Sequence, residues 1–267
     1  MHIKINNWVG RLGNNIIQVK NAIQIALFYN YETVIIPDNI FFNITVININ
    51  DKNDLIKLNI NEKIITNEDD FFYENKIKNI DTKLFHLNID KTISILKKIF
   101  KIKGNIKLND NDVVIHIRSG DVFSNNPHPS YIMPPLSYYT TILNNNNFHN
   151  IYIISEDTSN PIIYNLIELY PNIIFRLRNI KNDIEFLLSC KNVIESFGSF
   201  TNSLLLLSDN VENIYKPSYQ NSFLIETEKY KNNIIKINNI DLNDYRQKMF
   251  PWKYKNNQLE LMIKYKI

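Results

Sequence analysis

Val113-Val114-Ile115-His116-Ile117-Arg118-Ser119-Gly120-Asp121 is the stretch on which the reading of this chain turns. Val113 to Ile117 predicts a hydrophobic strand. His116 and Arg118 stand at alternate positions, so both project to one face at the strand's C-terminal end. Working outward, the sequence predicts helices over 135 to 143, 161 to 170, 183 to 189 and 200 to 207, alternating with strands over 151 to 154, 173 to 175, 192 to 195 and 212 to 215. Strand and helix in alternation make βαβ units, whose right-handed crossovers give an α/β fold with a parallel sheet covered by helices on both faces. Ligands of such sheets bind beyond the C-terminal strand ends. Arg118, Glu156 and the loop from Ser196 to Phe200 fall there.

Upstream, a strand over residues 2 to 6, a loop over 7 to 13, a helix from Asn14 to about Asn30 and a strand from Thr33 to Ile36 form another such unit. Residues 38 to 110 mix short Ile-rich runs with Asn and Asp, with a helix near Thr92 to Lys101. The expected organisation is a first domain over 1 to 108, a second over 109 to 240, and a helical tail over 241 to 267 packing back on the first.

The chain has 267 residues, enough for two compact domains, and 44% hydrophobic residues can build a core. Its formal charge of +3 is a small excess of 30 basic over 27 acidic residues, with lysines scattered along the chain, which gives no support to nucleic-acid binding. The single cysteine, Cys190, sits in an apolar context and reads as a small buried residue. There is no signal-peptide pattern and no apolar run of the ~20 residues that span a bilayer, so a cytoplasmic protein is expected.

Four of the five glycines fall in three short motifs: Gly10-Arg11-Leu12-Gly13-Asn14, the His116 to Asp121 segment, and Ser196-Phe197-Gly198-Ser199-Phe200. Glycine is used where the backbone turns with positive φ or where another group approaches it, so the three motifs read as ligand-cradling loops. Arg118 offers a planar fork suited to a phosphate. Asp121 either orients it or faces substrate; the bland alternative is an Arg118–Asp121 pair that only pins the loop. Ser196 to Thr201 leaves a strand and enters a helix, which suits either a diphosphate held by the backbone and hydroxyls of Ser199 or Thr201, or an ordinary helix cap. Glu156 and Asp157 follow the strand ending at Ile154 and are placed to accept from a base or a sugar. His128 is a second possible base, although a lone loop histidine is more often structural. No His/Cys cluster suggests zinc, no phosphate loop suggests ATP, and Asp110-Asn111-Asp112 stands at the wrong end of its strand for a metal on a nucleotide.

Taken in order, Gly10-Arg11-Leu12-Gly13-Asn14-Asn15, His116 to Asp121, Ser155-Glu156-Asp157 and Ser196 to Phe200 resemble motifs of the fucosyltransferase superfamily, closest to family 11 glycosyltransferases, over residues 3 to about 215. The resemblance implies a GT-B architecture of two Rossmann-like domains facing a cleft. It also implies an inverting, metal-independent, cofactor-free transfer of L-fucose from GDP-β-L-fucose to a glycan hydroxyl. By the same resemblance Arg118 holds the β-phosphate with His116 near the nucleotide, Arg11, Gly13 and Asn14 face the donor from the first domain, and Ser196, Phe197, Gly198, Ser199, Phe200 and Thr201 cover the diphosphate. Asp121 is the first candidate for the general base and His128 the second. Asn15, Ser119 and Gly198-Ser199-Phe200 stand where the family usually has Gln, Arg and Ser-Trp-Trp, departures that bear on donor sugar and linkage more than on fold. A rhamnosyl or other deoxysugar donor, and a non-catalytic carbohydrate- or nucleotide-binding protein, remain the alternatives.

Overall fold

The structure is a computed structural model that describes residues 1–49, 63–66, 70–72, 88–177 and 179–267. Much of the irregular 38 to 110 stretch, with Tyr73 and Arg178, lies outside the described residues. The chain divides into two compact units: Met1–Ile102 with Leu224–Glu228, and Lys103–Phe223 with Lys229–Ile267. The division falls a few residues before the expected 108.

The second unit is built on six parallel strands: β5 (Val113–His116), β6 (Ile151–Ile154), β7 (Ile173–Phe175), β8 (Asn192–Ile194), β9 (Asn213–Pro217) and β10 (Lys236–Ile240). They lie in the order β10-β9-β8-β5-β6-β7. Counted from β5, this is the doubly wound order 3-2-1-4-5-6. Parallel strands flanked by helices are buried on both faces and read as continuous aliphatic runs, which is why β5, β6 and β8 were visible in the sequence. Helices α3 (Leu136–Asn144), α4 (Ile162–Leu169), α5 (Ile180–Ser189) and α6 (Ser199–Leu205) connect them close to the expected ranges. The order reverses between β5 and β8, which register Val113 opposite Asn192 and Ile115 opposite Ile194. A crevice therefore opens past His116 and Ile194, the switch point at which such sheets take ligands.

The tail corrects an expectation. Helices α7 (Asn243–Met249) and α8 (Asn256–Lys264) belong to the second unit. Leu242, Tyr245, Met249, Trp252 and Met262 join the same core as Ile115, Tyr138 and Ile142, so burying these apolar side chains holds the tail here. Cys190 is buried, and burial pushes its thiol far up, as expected of an inert core residue.

The first unit has β1 (His2–Lys4), β2 (Thr33–Ile35), β3 (Val46–Asn48) and β4 (Ile64–Ile65) in the order β3-β2-β1-β4. β1 runs parallel to β2 and β4, whereas β3 is antiparallel to β2, so this sheet is mixed where an all-parallel Rossmann-like sheet was expected. The cause is the connection: residues 36 to 45 return from β2 as a loop, without the helical crossover that a parallel neighbour needs. Helices α1 (Leu12–Phe28) and α2 (Ile89–Ile99) pack together in this unit. Among the described residues no helix is long and apolar enough to cross a membrane.

Candidate functional site at the switch point

β5 delivers His116 and, two residues on, Arg118, while β8 delivers Glu195 and the loop that follows. These two loops meet. Gly198 has φ +129°, and a Cβ built on it would lie 2.6 Å from Nη1 of Arg118. Only glycine lets the guanidinium lie this close to the backbone without displacing one of them. Gln220 holds the same glycine: its Nε2 donates to Gly198 O at 2.7 Å and its Oε1 accepts from Gly198 N at 3.4 Å. Lys216 Nζ in turn donates to Gln220 O.

The guanidinium of Arg118 has two further neighbours. Its Nη2 donates to Asp121 Oδ2 at 3.1 Å, and its Cζ lies 4.1 Å from the centre of the Tyr131 ring. Tyr131 also touches Phe197 and His128, with centroids 6.1 and 4.7 Å away. The arginine is thus oriented by an aromatic face, a carboxylate and a glycine. Such fixed placement suits a bidentate partner, because little side-chain entropy remains to be lost when one is engaged.

His116 lies half-buried with its ring 5.3 Å from that of Phe200. Burial, aided by the Arg118 charge, lowers its pKa to about 3, so it stays neutral and offers one donor and one acceptor. Glu195 is 2% exposed and its Oε2 has no hydrogen-bond partner. Burial raises its pKa to about 8, against the pull of Lys216, itself buried and lowered mainly by desolvation. Neither Glu195 nor Gln220 was singled out from sequence.

The other expected residues divide by role. Gly120 turns with φ +66°, and a Cβ there would lie 2.6 Å from Glu156 Oε2, so the Glu156 carboxylate is brought against this turn. Asp157 spends its Oδ1 on the chain: it accepts from Ser119 Oγ, from Gly120 N at 3.3 Å and from Ser159 N at 2.8 Å. Burial works to raise its pKa, but these hydrogen bonds prevail and hold it below the ordinary value. Ser196 points inward to Met133 Sδ, and the Thr201 hydroxyl is buried without a partner. Phe197, Gly198, Ser199 and Phe200 are partly exposed, and Asp121 and His128 are exposed. The backbone N–H of Ser130 donates to His128 Nδ1 at 3.3 Å.

Arg11, Gly13 and Asn14 lie in the first unit, where β1 passes into α1. Arg11 is exposed at the start of α1, Gly13 is buried within it, and the Asn14 side chain lies against Gly10. Gln18, fully buried on α1, fixes this loop by accepting from Val9 N at 2.9 Å and donating to Asn7 O at 3.0 Å. Among the described residues no group of three or more His, Cys, Asp or Glu is placed to hold a metal.

No family model matches this chain, and no curated protein or solved structure matches it either.

Proposed function

We propose that the chain is an inverting, metal-independent glycosyltransferase that moves a deoxysugar, L-fucose from GDP-β-L-fucose, to a hydroxyl of a glycan. The observation that carries this reading is the meeting of Arg118 with Gly198 across the switch point, a cationic fork held against a glycine-relieved backbone where α/β sheets bind phosphates. In the proposed step the acceptor oxygen attacks C1 as the C1–O bond to the diphosphate breaks. The electron pair leaves on the β-phosphate oxygen, and the acceptor proton passes to a base. Arg118 stabilises the charge that develops on the leaving group, a contribution worth on the order of 10²-fold in rate.

Neutral His116 and the Phe200 ring form a site for a planar base or ribose beside that arginine. Asp121 is the proposed base. It pairs with Arg118 at 3.1 Å, so incoming phosphate oxygens compete for the guanidinium and free the carboxylate for the acceptor proton. Another deoxysugar nucleotide is the alternative donor, favoured by Ser119, whose hydroxyl is engaged by Asp157 where the resembled family carries an arginine.

The test is calorimetric binding of GDP, UDP, dTDP, CDP and ADP, with and without Mg²⁺, followed by transfer assays with the sugar nucleotide of whichever base binds. GDP binding without metal dependence supports the reading. Selective UDP or dTDP binding replaces the donor, and no binding by any of them rejects it.

A further inference from the structure

The first unit contains an open depression of about 510 Å³, outside the site described above, with Asp38, Asn39, Asn43, Thr45 and Lys101 in its lining. That volume is within the ~300–1,000 Å³ typical of small-molecule sites. It forms where the chain leaves the C-terminal end of β2, the edge on which β1 passes into the Gly10 to Asn14 loop. Two hydrogen bonds join these neighbours: Asn39 Nδ2 donates to Asn15 Oδ1 at 3.3 Å and Trp8 Nε1 donates to Asp38 O at 3.0 Å.

The floor is rigid. Phe42 is 4% exposed, stacks on the Trp8 indole at 5.9 Å and 18°, meets Phe100 edge-on and bridges it through the backbone. Phe41 N donates to Asn39 Oδ1 at 2.9 Å and Lys101 N donates to Phe41 O at 2.9 Å, which fixes the two sides of the depression. Ile40 and Ile44, 77% and 41% exposed, supply apolar surface at its margin.

The charges select the occupant. Asp38 and Lys101 face one depression, and neither forms an ion pair among the described residues. An anion would meet Asp38 and a cation would meet Lys101, while an apolar ligand would strip water from both without replacing it. A neutral molecule whose groups both donate and accept, and which also has a C–H face for Ile40 and Ile44, satisfies all of them. We propose that this depression binds a neutral saccharide, its hydroxyls donating to Asp38 and accepting from Lys101. As the acceptor subsite of the transferase it rests on the reading above; as a saccharide site it does not.

The chain carries two tryptophans, which makes the test internal. Trp8 stacks on the floor of the depression, whereas Trp252 is 1% exposed in the core of the second unit. The indole N–H signals of the ¹⁵N-labelled full chain are followed while methyl glycosides of glucose, galactose, mannose, fucose and N-acetylglucosamine, then lactose and cellobiose, are added, with glycerol as control. A saturable movement of the Trp8 signal with a still Trp252 signal is expected. Asp38→Ala and Lys101→Met, both on the surface, are expected to weaken it roughly tenfold each, the loss of one hydrogen bond to a charged group. A Trp8 signal that stays still, moves equally with glycerol, or responds unchanged in both variants overturns the site. GDP is titrated separately. GDP binding with a silent Trp8 removes this site and leaves the transferase reading, whereas a responsive Trp8 with no binding of any of the five nucleotides does the reverse.

Discussion

At the N-terminal edge of the six-stranded sheet, Asp112 is 1% exposed and both of its oxygens are occupied. Oδ1 accepts from the backbone and side chain of Asn150, at 3.2 and 2.9 Å, and Oδ2 from Asn109 N at 2.9 Å. Beside it, Lys191 bridges Asp110 and Glu212 at 3.1 and 2.9 Å. At the C-terminal edge of the same strands, Glu195 is equally buried but keeps Oε2 unpartnered, and Arg118 is pressed against Gly198. The two edges use the same kinds of side chain. At the first, polar groups satisfy one another and close the loops. At the second, two buried groups, Glu195 Oε2 and the Thr201 hydroxyl, stay without a hydrogen-bond partner, at a cost of about 1–3 kcal/mol each. The Asp110-Asn111-Asp112 spacing belongs to the first kind, and the His116 to Asp121 segment to the second.

The largest expected effect breaks the C-terminal edge. Arg118→Ala should weaken diphosphate binding, measured by calorimetry, on the order of 100-fold while leaving the melting temperature nearly unchanged, because the side chain is partly exposed and its main partners are one carboxylate and one ring. Asp112→Ala should do the opposite: a stability loss of about 2–3 kcal/mol by urea unfolding, from stranded N–H groups of Asn109 and Asn150, with ligand affinity untouched. Equal effects of the two variants on affinity would erase the distinction between the edges. Gly198→Ala sharpens it, since the added Cβ meets Arg118 Nη1 at 2.6 Å and the backbone is held at φ +129°. The roughly 1–3 kcal/mol of strain expected there is read as a loss of stability by urea unfolding, and the displaced guanidinium as about a tenfold loss of affinity.

What could be read from sequence follows from where information is local. β5, β6 and β8 announce themselves because strands covered on both faces must be aliphatic. β10, Lys-Ile-Asn-Asn-Ile, lies at the sheet's edge with no residue fully buried, and so leaves no apolar run to read. The antiparallel β3 was hidden because strand direction depends on the connecting loop, and the tail was assigned to the wrong unit because an apolar helix face does not state what it packs on. In the site, Arg118 and Gly198 were legible as unusual residues in a chain with five arginines and five glycines. Gln220 was not, since one amide among so many carries no signal, and Glu195 stands one residue past β8, where only the fold reveals its burial. The place of the Tyr131 ring over Arg118 is a tertiary fact.

The smallest expected effect uses the protons of the under-satisfied edge. His116 is lowered from 6.5 to about 3 by burial and then by Arg118, so between these values the unfolded chain binds a proton that the native chain refuses, and stability rises with pH. Glu195 is raised from 4.5 to about 8 by burial, partly offset by Lys216, so over that interval the native chain holds a proton that the unfolded chain has lost, and stability falls as pH rises. From these two groups the slopes oppose each other between about 4.5 and 6.5, and above 6.5 only the Glu195 slope remains. Urea unfolding from pH 5 to 8 should therefore give a flat stability that turns down near neutrality. His116→Gln should make the decline continuous, and Glu195→Gln should replace it by a rise that levels off near 6.5. A wild-type curve that climbs across the whole range would mean that Glu195 is ionised in the native protein. Its unpartnered oxygen would then be satisfied by Lys216, and the C-terminal edge would be as closed as the edge around Asp112.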